Sequence, residues 1–265
     1  MTTISTLAKA VNWKKGTSVK LHIAEETSYR NADIFLNANP HIKSQITNSL
    51  NARFSNLKLS YDMVMSRGVP KYSKRLSATP LNTSMREKLK STFPGLKYEV
   101  TFEEGVFYNL EDKGRKKGFD FALYDDTFNL INFRNLCFGR RSIYQGLARW
   151  DAVLKERSSW NILATSLSLP NPSLEGNDMV NKKNHPIILG EIQFGNWALL
   201  SYDLIKAINI EQFVDIDVFI YITATGNLAE CISSGTVNYA LSLKTIEELK
   251  NIIKVPIWLI GLDFK

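Results

Sequence analysis

The sequence has few of the residues on which several kinds of protein site depend. It contains only two cysteines, Cys137 and Cys231, which are too few for a disulfide framework and are not spaced as a zinc motif. Its three histidines, His22, His41 and His185, are scattered, so no HExxH zinc helix can form. This composition suits a reducing cytoplasm and gives zinc chemistry no support.

Long apolar runs and glycine-rich nucleotide loops are also missing. No run of about eighteen apolar residues occurs, so we expect no membrane residence. The segment Met1–Lys15 lacks the apolar core of a secretory signal. Neither a GxxxxGKS nor a GxGxxG motif is present, so neither ATP hydrolysis nor a dinucleotide cofactor is indicated.

What the sequence does have is an excess of positive charge. There are 33 lysines and arginines against 26 aspartates and glutamates, which gives a formal charge of +7 and an isoelectric point near 9.2. This balance favours an acidic partner such as nucleic acid without establishing one. Apolar residues make up 44% and charged residues 22% of the chain, as is usual for a folded, soluble protein.

The first 96 residues predict a mostly helical, basic N-terminal region, and residues 97–265 predict a second region in which strands and helices alternate. Within the first region, Tyr61–Leu81 holds a glycine and two prolines among basic residues, which predicts an irregular connection. Ser84 and Glu87 have the spacing of a capping box, which predicts a short helix that ends near Ser91.

The second region predicts an α/β fold with a mixed central β-sheet flanked by helices. Three strands in an antiparallel meander are followed by further strands and helices in alternation. The predicted strands are Lys97–Phe102, Val106–Leu110, Phe119–Tyr124, Ile187–Leu189, Val218–Thr223 and Val255–Ile260. The predicted helices are Ser142–Ser158, Trp197–Ile208 and Thr245–Ile253, the last with a capping box at Thr245 and Glu248.

A glutamate and a glutamine stand at the end of one of these strands. Glu191 and Gln193 are two residues apart, so on a strand both side chains point to the same face. The preceding apolar run Ile187–Leu189 places them beside a hydrophobic core, where a carboxylate is costly unless it is paired or binds a metal. The alternative is that the strand reaches the surface here and both side chains face water.

The longer sequence around these residues resembles the PD-(D/E)XK nucleases, and within them the BglII-like and BamHI-like type II restriction endonucleases. The resemblance covers Asp178–Phe264. It rests on Glu191-Ile192-Gln193-Phe194-Gly195-Asn196, in which glutamine stands where most of the family has lysine, and on Val255-Pro256-Ile257-Trp258-Leu259-Ile260-Gly261-Leu262.

The resemblance implies a Mg²⁺ site that activates water against a phosphodiester of double-stranded DNA. Glu191 is the expected metal ligand, and Gln193, being neutral, is expected to orient the attacking water. The family takes a further aspartate from a preceding strand, and Asp178 and Asp120 compete for that role. Asp178 lies thirteen residues before Glu191, which suits a short hairpin, whereas Asp120 lies seventy-one residues before it. Asp178 is preferred because it requires no long insertion between the two strands that carry the metal ligands.

DNA contacts are expected from two kinds of residue. Asn196 can cap the following helix or read an adenine edge, and the polar loop from Thr225 to Thr236 is a second candidate for base reading. The residues considered for base reading in that loop are Asn227, Ser233 and Ser234. The residues considered for phosphate contacts are Lys113, Arg115, Lys116, Lys117, Arg140 and Arg141.

The function expected from the resemblance is that of a homodimeric type II restriction endonuclease. A two-fold protein matches a short palindromic site, and a cognate DNA methyltransferase is the expected genetic partner. Two alternatives stay open at this point. One is a non-catalytic DNA-binding protein with the same fold, and the other is a repair or structure-specific nuclease.

Overall fold

The computed structural model describes residues 2–110, 118–180, 182–232 and 235–265, which divide into two compact units. The first unit combines Met1–Leu96, Leu189–Asn209 and Asp217–Lys265, and the second combines Lys97–Ile188 and Ile210–Ile216. Within the described ranges, no helix is both long enough and apolar enough to cross a membrane.

The first unit is built on two sheets. Its strands are β1 (Thr3–Ile4), β2 (Val19–Tyr29), β3 (Arg53–Phe54), β4 (Leu59–Ser66), β5 (Val69–Leu76), β9 (Ile188–Ile192), β10 (Val218–Ala224) and β11 (Ile257–Phe264). Its helices are α1 (Leu7–Lys15), α2 (Ala32–Ala38), α3 (Pro40–Leu50), α4 (Ala78–Thr92), α8 (Ala198–Glu211), α9 (Gly226–Cys231) and α10 (Tyr239–Leu249).

The larger sheet of this unit has the strand order β3-β2-β11-β10-β9. Strands β10 and β11 are parallel, whereas β2 runs antiparallel to β11, so the sheet is mixed as the sequence predicts. Every residue of β10 is buried, which explains why the run Val218–Ala224 is apolar almost throughout. Gly261 in β11 is required by close packing, because a Cβ there would lie 2.8 Å from the ring of Tyr239.

The N-terminal region has the four helices α1 to α4 and, in addition, the five strands β1 to β5. The expected irregular connection over Tyr61–Leu81 is wrong, because β4 and β5 form a hairpin there. Arg67 and Gly68 both have positive φ and make the tight turn between the strands. Pro70 is accommodated because β1 pairs with β5 only at Tyr72 and Ser73, so no partner strand requires an amide from Pro70.

Two helices begin earlier than their expected capping boxes. Helix α4 starts at Ala78, so Ser84 lies inside it, and Pro80 sits in the first turn, where a missing amide is tolerated. Helix α10 starts at Tyr239 after Asn238, whose side chain accepts a hydrogen bond from the Leu241 amide at 2.9 Å. Thr245 is therefore a helix-interior residue rather than a cap.

The second unit contains three strands and three helices among the described residues. They are β6 (Lys97–Glu103), β7 (Val106–Asn109), β8 (Phe119–Leu123), α5 (Asp126–Phe138), α6 (Gly146–Glu156) and α7 (Ser158–Ser166), with a 3-10 turn at Pro172–Leu174. The strands are where the sequence predicts them, but the meander order is wrong. Strand β6 pairs antiparallel with both β7 and β8 and lies between them.

An aromatic cluster forms the core of the helical part of this unit. Phe133 of α5 stacks on Trp150 of α6 at a centroid distance of 5.3 Å, and Trp160 of α7 lies 5.5 Å from the same Phe133 ring. The predicted helix Ser142–Ser158 is confirmed as the shorter helix α6, and α7, which follows it, was not predicted.

Candidate functional site

Strand β9 delivers Glu191 into the interior of the first unit. All five residues of the strand are buried, and the Glu191 side chain is only 8% exposed. The alternative that this strand ends at the surface with Glu191 in water is therefore wrong. A carboxylate buried to this degree needs a partner to offset its lost hydration.

Helix α8 supplies that partner by packing back over the end of β9. The Lys206 ammonium lies 2.5 Å from Glu191 Oε1 and 3.0 Å from Asp203 Oδ1. Asp203 and Lys206 are three residues apart and so share one face of the helix. We call Glu191, Asp203 and Lys206 the charged cluster; it joins one ammonium to two carboxylates and leaves one net negative charge when all three are ionised.

Burial and charge act in opposite directions on the pKa values of this cluster. Burial raises the pKa of the Asp203 carboxyl, and the Lys206 ammonium offsets only part of that rise. For Lys206, burial lowers the pKa, but the two neighbouring carboxylates outweigh it, so the pKa is raised overall. Lys206 therefore keeps its positive charge in the folded protein.

Gln193 follows β9 directly and lies beside the same cluster. Its backbone is held by β10, because its amide donates to the Ile222 carbonyl at 2.8 Å and its carbonyl accepts from the Thr223 hydroxyl at 2.9 Å. Its side-chain Oε1 accepts from the Gly195 amide at 2.9 Å. Gln193 is close enough to Asp203 to lower its pKa, as is Glu191, so both side chains lie on the face of the strand that meets α8.

The donors of this site suit a hard divalent cation. Carboxylate and amide oxygens are the protein ligands that Mg²⁺ accepts, and it takes one or two carboxylates together with water and substrate phosphate. Asp203 Oδ2 is buried and has no hydrogen-bond partner within the geometric limits among the described residues, so it is an oxygen that a bound cation could contact. The described residues form no group of three or more histidine, cysteine or carboxylate side chains that could hold a metal ion.

Asp120, one of the two expected partner carboxylates, lies in β8 of the second unit. It is buried between Phe119 and Phe121, both of which are almost wholly buried. The strand setting predicted for this residue is confirmed.

Asp178, the preferred candidate, lies on the surface in a segment without regular structure. The described residues between β8 and β9 contain no strand, so the short hairpin that favoured Asp178 is not formed. Its Oδ1 accepts the Arg140 backbone amide at 3.0 Å. Asn135 of α5 holds the neighbouring Met179 by two hydrogen bonds of 2.8 Å.

Two of the residues expected to contact phosphates, Arg140 and Arg141, lie near Asp178. Arg140 and Arg141 are both exposed, and Arg141 lines the same cleft of the second unit as Asp178. Lys113, Arg115, Lys116 and Lys117 lie outside the described residues, as do the loop candidates Ser233 and Ser234.

The expected base-reading residues have structural contacts of their own. Asn196 is exposed, and its Oδ1 accepts the Ala198 amide at 3.0 Å, so its predicted contact with the start of α8 is confirmed. The predicted loop after Thr225 contains helix α9 instead. Asn227 lies in that helix, and its Oδ1 accepts a hydrogen bond from the Thr2 hydroxyl at 3.2 Å.

Sequence reasoning missed Asp203 and Lys206. A signal was present, because they are the only two charged residues in the mostly apolar sequence Ala198–Ile210. A DxxK pair on one side of an apolar helix indicates a buried charge that needs a partner elsewhere. Which partner it meets depends on how α8 packs on β9, and that packing cannot be read from residue spacing.

Comparisons with known proteins show which family the chain belongs to. The family model for the restriction endonucleases BglII and BglIII matches residues 24–262. The chain is similar to the crystal structure of BglII complexed with a DNA 16-mer. The alignment covers 91% of this chain and 75% of the BglII chain, with 15% sequence identity and a TM-score of 0.47. The alignment with the crystal structure of free BglII covers 93% of this chain and 80% of the BglII chain, with 14% sequence identity and a TM-score of 0.44.

No curated protein sequence matches the chain at a significant level. The family match, by contrast, extends over most of the chain and includes β9, α8 and the charged cluster. The chain therefore belongs to the BglII/BglIII restriction endonuclease family.

Proposed function

We propose that this type II site-specific deoxyribonuclease acts in the cytoplasm as a homodimer that uses Mg²⁺ to hydrolyse both strands of double-stranded DNA at a short palindromic site. The observation that carries the proposal is the burial of Glu191 in the charged cluster at the end of β9. The two carboxylates of the cluster outnumber its one ammonium, and the net negative charge that remains when all three are ionised supports binding of a further cation.

Within this proposal, Glu191 holds the divalent ion and Gln193 orients the attacking water. When bound, Mg²⁺ neutralises charge on the scissile phosphate and lowers the pKa of water. Gln193 is suited to orienting a water molecule because its backbone is hydrogen-bonded to β10 through both its amide and its carbonyl. Its side-chain amide is held in turn by the Gly195 amide, which donates to Oε1. A neutral amide both donates and accepts, as an orienting group for water must.

Two carboxylates remain candidates for completing the site, and we favour Asp120 over Asp178. Asp120 is buried on strand β8, which matches the strand position that the family's aspartate occupies. Asp178 is exposed and its carboxylate already accepts the Arg140 amide. The hairpin that originally favoured Asp178 is not present.

DNA contacts are assigned to exposed polar and basic side chains. Asn196 stands directly after the active strand, where its amide group can reach a base edge if it releases the Ala198 amide. Arg140 and Arg141 are exposed and suit phosphate contacts, which position the duplex without reading sequence. We keep Lys116, Lys117, Ser233 and Ser234 as further DNA-binding candidates on sequence grounds, and Asn227 as a weaker one because Thr2 occupies its side chain.

A homodimer is supported by the outer face of α8. Leu199, Tyr202 and Ile205 recur every three residues and are exposed, whereas Leu200 and Leu204 of the same helix are buried. Contiguous exposed apolar side chains on a helix are typical of a protein interface. A two-fold pair of such helices would bring two cutting sites to one palindrome, as a symmetric site requires.

The proposal is tested by incubating the protein with bacteriophage DNA and Mg²⁺, with a parallel reaction in chelator. We expect discrete fragments with Mg²⁺ and intact DNA with chelator. A smear would indicate a repair or nonspecific nuclease, and intact DNA in both reactions would indicate a non-catalytic binder. Prior methylation by a cognate methyltransferase should protect the DNA from cleavage.

A further inference from the structure

Strand β9 and the residue that follows it, here called the active strand, carry a negative and a neutral side chain but no positive one. Glu191 is a carboxylate and Gln193 an amide, so neither can place a cationic group beside a phosphate. Hydrolysis of a phosphodiester builds up negative charge on the phosphoryl oxygens and the leaving oxygen, and fixed positive charge at that point lowers the barrier. Besides the proposed Mg²⁺, any fixed positive charge at this point has to come from a side chain on another element.

Lys206 of α8 brings a positive charge to that point. Its ammonium contacts the carboxylate of Glu191 at 2.5 Å and is anchored from the other side by Asp203 at 3.0 Å. The two contacts fix the long, flexible lysine side chain, so the position of its charge is set before any substrate binds. Such fixed positioning is what makes a charge effective in catalysis.

The exposure of the three side chains shows which part of the cluster faces outward. Glu191 is 8% exposed and Asp203 is 6% exposed, whereas Lys206 is 18% exposed. The lysine is therefore the more accessible member of the cluster. The positive charge of the cluster thus belongs to the side chain with the largest exposed fraction.

A purely structural purpose for the cluster is a weaker explanation. A buried ion pair is often no more stabilising than apolar residues of similar size, because both charges lose their hydration. The rest of this face of α8 is apolar, and Leu200, Leu204 and Ala207 are buried without any charge. Apolar side chains at positions 203 and 206 would pack in the same way.

We propose that Lys206 is a catalytic residue whose ammonium, held between Glu191 and Asp203, contacts the scissile phosphate and stabilises its developing negative charge. Asp203 is the positioning residue that holds Lys206 there. This inference rests on the proposed nuclease function and deepens it, because it assigns to α8 the positive charge that the active strand does not carry.

The test begins with Lys206→Met, which removes the charge and keeps most of the side-chain length. Single-turnover cleavage in Mg²⁺ should slow by at least about a hundredfold, the usual loss when one charge-stabilising donor is removed. DNA affinity measured in Ca²⁺ should stay unchanged. Lys206→Arg should recover part of the rate. The matched control is Lys244→Met on α10, where the lysine is 73% exposed and pairs only with Glu248 on the surface, so no change is expected.

A second variant separates catalysis from charge balance. Asp203→Leu combined with Lys206→Met removes one charge of each sign, so the net charge of the cluster is that of the wild type. If Lys206 is catalytic, this double variant regains the melting temperature lost in Lys206→Met but remains as slow. Recovery of the cleavage rate in the double variant would overturn the inference, because Lys206 would then serve only to balance Asp203.

The outcomes also separate this inference from the proposed function. If the wild-type protein cleaves DNA in Mg²⁺ and Lys206→Met cleaves equally fast, the role of Lys206 is wrong and the nuclease function stands. If the wild-type protein binds DNA but does not cleave it with any divalent ion, the proposed function fails, and the role of Lys206 fails with it.

Discussion

Two sets of carboxylates, one in each unit, satisfy their charge in different ways. In the second unit, Asp125 accepts the backbone amides of Thr127 and Phe128, and Asp178 accepts that of Arg140. In the first unit, Glu191 and Asp203 share the ammonium of Lys206 inside the protein. Carboxylates bound to backbone amides organise helix starts and turns, whereas carboxylates gathered around one buried ammonium lose hydration without fixing a turn. Function is the better explanation for the second arrangement.

The largest effect that this comparison predicts is at Glu191. Glu191→Ala should reduce Mg²⁺-dependent cleavage by about a thousandfold or more, since both the metal ligand and the anchor of Lys206 are lost. DNA binding in Ca²⁺-free buffer should remain. The matched control is Glu248→Ala on α10, whose side chain is 62% exposed. Full activity of Glu191→Ala would show that the active site does not lie on β9.

The next effect distinguishes Asp120 from Asp178. Asp120→Asn removes the negative charge of a proposed metal ligand. Cleavage should therefore slow by about a hundredfold or more, which is the usual loss when one charge-stabilising group is removed. Asp178→Asn keeps an oxygen that can accept the Arg140 amide, so its cleavage rate should be close to that of the wild type. Single-turnover rates of the two variants decide the matter. The reverse order would assign the second carboxylate to Asp178.

The sequence predicts the central strands better than the parts that surround them. β10 and β9 lie in continuous apolar runs, which a core buried on both faces requires, and their positions follow from composition alone. The β4–β5 hairpin was missed because its prolines and its Arg67–Gly68 turn also occur in irregular segments. Whether Pro70 breaks a strand depends on the length of the neighbouring β1, which is a tertiary property.

The same distinction holds for the site. Glu191 can be found from the sequence because a carboxylate next to an apolar strand is unusual in itself. Lys206 cannot, because its contact with Glu191 spans fifteen residues and a change of direction between β9 and α8. The hairpin expected around Asp178 is not formed for a related reason: proximity along the chain suggested it, but Asn135 holds the segment through Met179 against α5.

A smaller effect is predicted for the outer face of α8. Ile205→Glu places a charge among exposed apolar side chains one position from Lys206, and it should weaken the dimer by about tenfold or more if that face is the interface. Sedimentation velocity over a range of protein concentrations measures the shift toward monomer. Ile252→Glu is the control, since Ile252 is also exposed but lies beyond α10. Equal behaviour of both variants would place the dimer interface elsewhere.

The smallest effect is expected at a structural carboxylate. Burial acts to raise the pKa of Asp125, but hydrogen bonds from the Phe128, Asn184 and Thr127 amides outweigh it and lower the pKa overall. Its stabilising contribution is therefore present at neutral pH and is lost as the pH falls through the lowered pKa. Asp125→Ala should reduce the free energy of unfolding by about 1 to 2 kcal/mol at neutral pH.

Urea unfolding at neutral and at acid pH checks this prediction. The difference between Asp125→Ala and the wild type should shrink in acid, and the cleavage rate of the folded variant should be unchanged. A large loss of cleavage in folded Asp125→Ala would mean that the second unit's amide-bound carboxylates also serve the chemistry.

The most direct test of the central claim is to locate the divalent ion itself. Crystals of the protein soaked in Mn²⁺, which takes the same oxygen ligands as Mg²⁺ and is visible by anomalous scattering, would show where it binds. The account predicts an anomalous peak in contact with the Glu191 carboxylate, with no such peak in Glu191→Gln. A peak at Asp178 that persists in Glu191→Gln would contradict it.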